Sequence, residues 1–343
     1  MKAKVRKSLN FLLQIGIILV AYGFIYRQVV QKMEITELVT GLTAKFHDST
    51  FLIYLGSVFL LMFVNLGVEA WKWKFLISKF ETVSFMNSFK AVFSGITVSV
   101  FTPNRVGEYF GRVFILKSLH PVKGILITFI GSMGQLMATI LIGSFGVLLF
   151  LPRIMDAFIF PNHLIFIGIV ITTLIILTLL VVLYLHFSIL SQFARKLFPA
   201  KTEKINKYAG VFESYSSADL SYVLLLSILR YCVFTTQFIL LLLAFEMKLP
   251  FMHYLIVIPV IFLVMTLIPS VALSELGIRG SVSLYLISLF LNESAGIYDP
   301  SSLGIVVAST LLWLINLAIP AITGAVFVFN LRFIRSKNNQ SGS

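Results

Sequence analysis

The stretch that decides the fold is TPNRVGEYFGR, from Thr102 to Arg112, which lies between long apolar runs. It places a proline, two arginines, a glutamate and two glycines inside a chain that is 58% hydrophobic and only 12% charged. A charged side chain at the centre of a bilayer costs at least about 2.5–3.5 kcal/mol. Irregular, charged backbone at that depth therefore has to be buried in protein or line a polar cavity.

The composition indicates an integral membrane protein, because globular domains carry about 25% charged residues. A helix needs about 20 apolar residues to cross the hydrocarbon core, and six segments are long enough. The first follows a basic N-terminus, and we expect it to be retained because no small-residue cleavage site follows it. The predicted spans are Leu9–Ile25, Phe51–Val68, Ile125–Leu151, Leu164–Phe187, Leu220–Phe245 and Leu303–Phe329.

The net charge of +13 would suggest nucleic-acid binding in a soluble protein. Here the basic residues fall mostly in the short loops between apolar segments, where they set the orientation in the membrane. We therefore expect no nucleic-acid partner. The distribution predicts a multi-pass protein with both termini in the cytoplasm. The expected location is the cell (inner) membrane.

Two further apolar segments, Phe89–Leu116 and Phe251–Leu291, are interrupted by polar residues. Basic loops flank the first segment on both sides, and near-neutral loops flank the second. Each segment is therefore predicted to enter and leave on one side of the membrane, the first from the cytoplasm and the second from outside. We interpret them as re-entrant pairs of half-helices; two kinked full spans are the alternative.

The predicted fold is all-α: a polytopic membrane protein with about six full spans and two re-entrant half-helix hairpins in an inverted repeat. The single membrane domain, residues 1–343, would contain a first repeat at 51–187, a cytoplasmic linker at 188–219 and a second repeat at 220–329. Transporters built this way bind their substrate between the repeats, on discontinuous helices.

The first break contains the residues expected at a helix restart. Pro103 disfavours a continuous helix, and Asn104 is expected to be the N-cap of a half-helix that starts at Arg105. Gly107 and Gly111 are four residues apart, so they share a face that another backbone can approach closely.

The same half-helix carries a polar face. Glu108 and Arg112 are four residues apart and can form an ion pair, and Arg105 precedes Glu108 by three residues. The face is therefore predicted to hold all three charges.

The second break has similar chemistry at a different spacing. Pro269 would end one apolar half, and Ser274 is expected to cap a half-helix that begins at Glu275. Glu275 precedes Arg279 by four residues, and Gly277 supplies a small residue at the turn.

Isolated polar residues also occur within the predicted spans. Arg230 has no carboxylate at helical spacing, so Glu108 and Glu275 are its candidate partners; the alternative is that Arg230 extends to the membrane surface. Gln135, Asn65 and Asn316 are expected to form interhelical hydrogen bonds. Just after the second predicted span, EAWKWKFLISKF, from Glu69 to Phe80, is interpreted as an interfacial anchor with Trp71 and Trp73 at headgroup level.

Two half-helix N-termini and the nearby arginines favour an anion, because each helix N-terminus adds about half a positive charge. Arg105, Arg112 and Arg279 can each bind phosphate through two hydrogen bonds. The alternative is an internally neutralised ion-pair cluster that only holds the hairpins together.

Motifs for catalysis are not found. The one cysteine, Cys232, excludes an intrachain disulfide, and the sequence has no paired-histidine metal motif and no Walker loop. We therefore expect no cofactor, no metal and no catalytic residue.

The motif PNRVGEYFGR, together with the upstream EAWKWKFL, resembles the lysylphosphatidylglycerol synthase transmembrane, or flippase-like, family. The matching positions in the first motif are Pro103, Arg105, Gly107, Glu108 and Arg112. The late motif matches more loosely, at Gly277 and Arg279 of the second break.

The resemblance implies a multi-spanning protein that moves or handles lipids with charged headgroups. We expect a flippase-like transporter of an anionic or zwitterionic phospholipid, or a polyprenyl-linked lipid, in envelope biogenesis. Lysyl transfer is not expected, since no part of the chain corresponds to the soluble domain that performs it. The expected substrate-binding residues are Arg105, Glu108, Arg112, Arg230, Glu275 and Arg279.

Two other functions stay open from the sequence. One is an intramembrane transferase acting on a polyprenyl-phosphate lipid, and the other is a non-transporting lipid-binding assembly subunit. The expected partner is a membrane lipid with a phosphate headgroup; a homo-oligomer and an envelope-biosynthesis partner are both left open.

Overall fold

A computed structural model describes residues 45–100, 102–157, 163–187, 208, 210–247, 249–268, 272–291 and 300–328. Every regular element in these ranges is helical. The predicted first span Leu9–Ile25, most of the linker 188–219, both termini and Pro269 lie outside the described residues.

The helices are numbered in chain order. They are α1 Ser49–Ile77, α2 Phe85–Ser99, α3 Gly107–Val113, α4 Pro121–Ala157, α5 His163–Leu185, α6 Ser217–Ala244, α7 Phe251–Leu267, α8 Ala272–Leu291, α9 Pro300–Trp313 and α10 Ile319–Val328. A 3₁₀ turn, Pro103–Arg105, precedes α3, and a π turn, Leu314–Ala318, joins α9 to α10.

Five helical segments in the described ranges are long and apolar enough to cross a membrane. They correspond to the predicted spans other than the first. Their limits are Ser49–Ile77, Pro121–Pro152, His163–Leu185, Ser217–Ala244 and Gly304–Phe327.

Helices α1 and α6 form a central antiparallel pair. At one end Lys45 forms an ion pair with Glu246, and at the other end Lys79 forms one with Asp219. The 29 residues of α1 extend about 43 Å at 1.5 Å per residue. This pair is the frame against which the broken helices are positioned.

Helices α2 and α3 form an antiparallel hairpin, here called the first hairpin. A Cβ atom built on Gly107 would lie 2.3 Å from the carbonyl oxygen of Val98, and one on Gly111 would lie 2.6 Å from Cα of Gly95. The two backbones are therefore in direct contact, which only glycine permits at these positions.

Glu81 joins the two ends of the first hairpin. Its carboxylate accepts hydrogen bonds from the backbone N–H groups of Lys117 at 2.7 Å, Ser118 at 3.0 Å and Leu119 at 2.8 Å. Burial would raise the pKa of Glu81, but these donors hold it below its ordinary value. The hairpin thus begins and ends near the C-terminal end of α1.

Helices α7 and α8 form the second hairpin. The ring of His253, near the start of α7, lies 4.9 Å from the ring of Phe290, near the end of α8, so the two helices run antiparallel. This hairpin follows the C-terminal end of α6, which adjoins the N-terminal end of α1. The two hairpins therefore begin at opposite ends of the central pair.

Each hairpin packs against the long helical segment that follows the other. In the first, Thr97 on α2 donates a hydrogen bond to the carbonyl oxygen of Ala321 on α10 at 2.8 Å. In the second, a Cβ on Gly146 of α4 would lie 3.0 Å from the carbonyl oxygen of Ile256 on α7. The hairpins thus exchange packing partners across the centre of the bundle.

The interfacial assignment of EAWKWKFL is wrong for part of that stretch. Helix α1 continues to Ile77 instead of ending near Val68, and its inner face is buried. Trp73 is 1% exposed and donates a hydrogen bond to Thr128 on α4 at 3.1 Å, whereas Trp71 is 48% exposed. Of these two tryptophans, only Trp71 is exposed enough to contact the membrane interface.

Replacement of Gly111 by alanine should force α3 away from α2, because the new methyl group would overlap the backbone of Gly95. We expect a loss of about 1–3 kcal/mol in the free energy of unfolding, typical of overpacked cores. Thermal unfolding in detergent measures this loss. The matched control is Gly67→Ala on α1, where a Cβ meets nothing within 4 Å; equal melting temperatures of the two variants would contradict the assignment.

Candidate functional site

Charged side chains from five helical elements form two ion-paired groups near the hairpins and the central pair, one around Glu69 and one around Glu275, and the two groups are taken together as one set. We call this set the charge network. It consists of Glu69 and Lys72 on α1, Arg105 on the 3₁₀ turn, Glu108 and Arg112 on α3, Arg230 on α6, and Glu275 and Arg279 on α8.

The carboxylate of Glu69 is shared by three cations. Its Oε1 accepts from Arg112 Nη1 at 2.8 Å, and its Oε2 lies 2.7 Å from Lys72 Nζ and 2.9 Å from Arg230 Nη1. The side chains of Glu69, Lys72 and Arg112 are almost completely buried. One carboxylate thus joins α1, α3 and α6.

Arg112 also forms an ion pair with Glu108, one turn earlier on α3. The side chains fit against α2 because position 95 is glycine: a Cβ there would lie 3.0 Å from Cγ of Arg112. The Nε atom of Arg112 is buried and has no hydrogen-bond acceptor among the described residues. This arginine therefore keeps one donor that the described part of the protein does not satisfy.

A chain of amides extends from Arg230 to the last span. Arg230 Nε donates to Asn65 Oδ1 at 2.8 Å, and Asn65 Nδ2 donates to Asn316 Oδ1 at 3.0 Å. Asn316 lies in the π turn and donates to the carbonyl oxygen of Leu312 at 3.1 Å. Single π turns are frequent at functional sites.

The tips of the two hairpins are joined by Glu275. Its carboxylate accepts from Arg105 Nη2 at 2.8 and 3.1 Å and from Arg279 Nη2 at 2.7 Å. The Arg279 guanidinium also lies 5.9 Å from the ring centre of Phe234, one helical turn after Arg230 on α6. The Glu275 group thus contacts α6 one helical turn from Arg230, which belongs to the Glu69 group.

The backbone that projects Arg105 is strained. Asn104 and Arg105 have φ angles of 48° and 57°, a left-handed conformation that costs about 1–3 kcal/mol for each non-glycine residue. The expected N-cap role of Asn104 is wrong, because α3 begins at Gly107 instead of Arg105. The Gly107 N–H donates instead to the hydroxyl of Thr102 at 2.8 Å.

The predicted partner of Arg230 was also wrong. Both Glu108 and Glu275 form ion pairs with other arginines, and Arg230 pairs with Glu69. The face predicted for α3 is divided, since Arg105 reaches Glu275 across the hairpin tips. The left-handed turn before α3 is the reason, because it removes Arg105 from the helical register.

In the second hairpin, Ser274 does not precede the helix. Helix α8 begins at Ala272, so Ser274 lies within its first turn. A Cβ built on Gly277 would meet nothing within 4 Å, so close packing does not require a glycine there.

Glu69 and Lys72 are the site residues that sequence analysis missed. They lie four and seven residues after Asn65, which places all three on one face of a helix. That spacing was available in the sequence. It was overlooked because the span was ended at Val68, before these residues.

The charge network has an excess of positive charge and a partly exposed side. Its five basic residues and three glutamates leave a formal excess of two positive charges. The side chains of Arg105, Arg230 and Glu108 are 41%, 25% and 23% exposed, whereas those of Glu69 and Arg112 are buried. The excess of arginine and lysine over glutamate makes the arrangement suited to an anion.

Replacement of Glu69 by glutamine should leave Lys72, Arg112 and Arg230 without their shared carboxylate. Removing one partner of a buried ion pair costs about 3–5 kcal/mol. The double variant Glu69→Gln/Lys72→Gln should be more stable than Glu69→Gln, because one unpaired cation is removed with the carboxylate. The melting temperature in detergent measures both.

The matched control is Glu246→Gln, which alters an ion pair whose glutamate is exposed and should cost at most about 1 kcal/mol. If Glu69→Gln were as mild as this control, the shared carboxylate would not stabilise the junction of the helices.

Comparison with known proteins agrees with the helical membrane architecture. Neither the curated proteins nor the solved structures give a match. A family model described as the lysylphosphatidylglycerol synthase TM region matches residues 11–298, which is most of the chain. The protein is therefore a multi-pass membrane protein that belongs to the lysylphosphatidylglycerol synthase transmembrane-region family.

Proposed function

We propose that this protein is a flippase-like transporter of a phosphate-bearing lipid. The observation that carries the proposal is the charge network, in which five basic residues and three glutamates form two ion-paired groups near two opposed hairpins. Intramembrane charges of this kind are associated with substrate pathways. An assembly that only joins helices has no need for an excess of two positive charges.

The headgroup would enter from the exposed side of the network. Arg105 and Arg230 are the accessible cations of the network. Glu275 and Glu108 bind the guanidinium groups of Arg105 and Arg112, and a phosphate could bind these groups in their place. Arginine binds carboxylate and phosphate with similar geometry, so a headgroup would compete with these glutamates. Exchange between the two anions gives the hairpin tips two states, one joined by Glu275 and one joined by phosphate.

The lipid tails would remain in the bilayer. Helix α5 exposes apolar side chains along almost its whole length, as expected for a helix surrounded by lipid. Near the C-terminal end of α1, a groove of about 470 Å³ is lined by Trp71, Lys74, Phe75 and Tyr222. Aromatic and basic side chains of this kind contact lipid at the membrane interface.

We further propose that the hairpins are re-entrant and belong to an inverted repeat. Support comes from their starting points at opposite ends of the central pair and from the exchange of packing partners between them. In this proposal α1–α5 form one unit and α6–α10 the other, with the first hairpin opening to the cytoplasm.

Cysteine accessibility tests this topology. In a Cys232→Ala background, Met86→Cys and Lys117→Cys, at the two ends of the first hairpin, should react with an impermeant thiol reagent from one side of the membrane. Glu246→Cys should react only from the other side. All three positions are exposed.

The cysteine-free background is the control for labelling. Reaction of Met86→Cys and Lys117→Cys from opposite sides would show that α2 and α3 cross the membrane, and the re-entrant interpretation would then be lost.

Headgroup translocation in reconstituted vesicles tests the function. Replacing Arg105 by glutamine should lower translocation about tenfold or more, because a charge-assisted hydrogen bond to phosphate contributes about 1.5–3 kcal/mol. The fold should survive, since the Arg105 side chain is 41% exposed. Loss of a label to an impermeant reductant gives the rate for each candidate lipid.

The matched control is Lys117→Gln, which removes a positive charge from an exposed position near the base of the same hairpin and should leave the rate unchanged. Retention of lipid without translocation by the wild-type protein would indicate a static lipid-binding subunit instead.

A further inference from the structure

The excess charge of the network narrows the class of substrate, given the proposed function. We infer that the network selects a lipid with a doubly charged phosphate, a phosphomonoester or a diphosphate, over a phosphodiester lipid. Two independent features of the described residues carry this inference: the formal charge and the unpaired hydrogen-bond donors.

The network holds more positive than negative charge, and several of its cations are buried. Five basic residues and three glutamates leave two positive charges, and Lys72, Arg112 and Arg279 are among the buried residues. Uncompensated charge is costly at low dielectric constant. A phosphomonoester carries about −1.5 to −2 charges at pH 7 and would neutralise the excess positive charge. A phosphodiester carries one negative charge and would leave about one positive charge of the excess uncompensated.

Two buried arginines of the network also have hydrogen-bond donors that are unpaired within the described part of the chain. The Nε atoms of Arg112 and Arg279 are buried and have no acceptor among the described residues, although other nitrogens of both groups are ion-paired. A phosphomonoester offers three strong acceptor oxygens, while a phosphodiester has two oxygens that are not esterified. The headgroup with more acceptors can satisfy these donors and still accept from Arg105.

The two donors lie on different hairpins. Arg112 belongs to the first hairpin and Arg279 to the second, and Arg105 joins the two hairpins through Glu275. A compact dianion that displaces Glu275 from Arg105 would contact both hairpins. A change in its position would therefore alter the contact between the tips.

The test compares phosphatidic acid, a phosphomonoester, with phosphatidylglycerol, a phosphodiester, carrying identical acyl chains. The wild-type protein is reconstituted in phosphatidylcholine vesicles that contain both lipids in equal amounts. Retained lipid is measured by native mass spectrometry, and translocation is measured with labelled tails. We expect phosphatidic acid to be favoured about tenfold, as one additional charge-assisted hydrogen bond would give.

Two variants change the charge excess in opposite directions. Glu108→Gln raises it to three, so the preference for phosphatidic acid should increase. Arg105→Gln lowers it to one, so the two lipids should be retained more equally. Lys117→Gln, outside the network, should leave the preference unchanged. A preference that is the same in all four proteins would overturn the charge argument.

A further arm separates the lipid from a soluble anion of the same chemistry. Inorganic phosphate is added to the wild-type protein in phosphatidylcholine vesicles. Retention of phosphate with no retained phosphatidic acid would assign the network to a soluble dianion and overturn the proposed function.

The remaining outcomes distinguish this inference from the function on which it rests. Equal translocation of phosphatidic acid and phosphatidylglycerol would overturn the selection for a dianion and leave lipid transport standing. Absence of translocation for both lipids, and for a polyprenyl phosphate, would overturn lipid transport and the inference with it.

Discussion

The structure depends on the neutralisation of charge within an apolar bundle. Glu69 supplies the carboxylate that Lys72, Arg112 and Arg230 share, and through it α1, α3 and α6 are held in fixed relation. Because an unpaired charge at this depth is unfavourable by several kcal/mol, the helices that carry the charges must meet. The ion pairs of Glu69 with Arg112 and Arg230 thus connect the first hairpin to the central pair.

The first hairpin is possible only because two backbones can come into contact. Gly107 and Gly111 allow α3 to lie directly against α2, and the left-handed turn at Asn104 and Arg105 directs one arginine away from the helix and toward the second hairpin. Strained backbone persists where the surrounding structure stabilises it, and such positions concentrate at functional sites. Arg105 has the strained backbone and also forms the ion pair with Glu275, and the transport proposal assigns phosphate binding to this same arginine.

Much of the architecture follows from local patterns in the sequence. Runs of apolar residues predicted five of the spans that the structure describes, and the polar interruptions predicted both broken helices. The exact limits of the helices and the ion-pair partners of the charged residues were harder to predict from the sequence. The end of α1 was placed too early because Glu69 and Lys72 were interpreted as interfacial, and the cap of α3 was assigned to Asn104 although the hydroxyl of Thr102 performs that role. Whether a residue caps a helix depends on its backbone angles, and the residue type makes those angles more favourable without fixing them.

The sequence by itself determined that the chain is a helical membrane protein with two polar breaks and an excess of basic residues, because length, hydropathy and charge act locally along the chain. Helical spacing predicted the pairs Glu108–Arg112 and Glu275–Arg279, but only the tertiary structure decided which charges pair between separate elements. The partners of Arg230 and Arg105 lie more than 150 residues away in the chain, on Glu69 and Glu275. Such pairs arise from the packing of separate helices, and helical spacing carries no information about them.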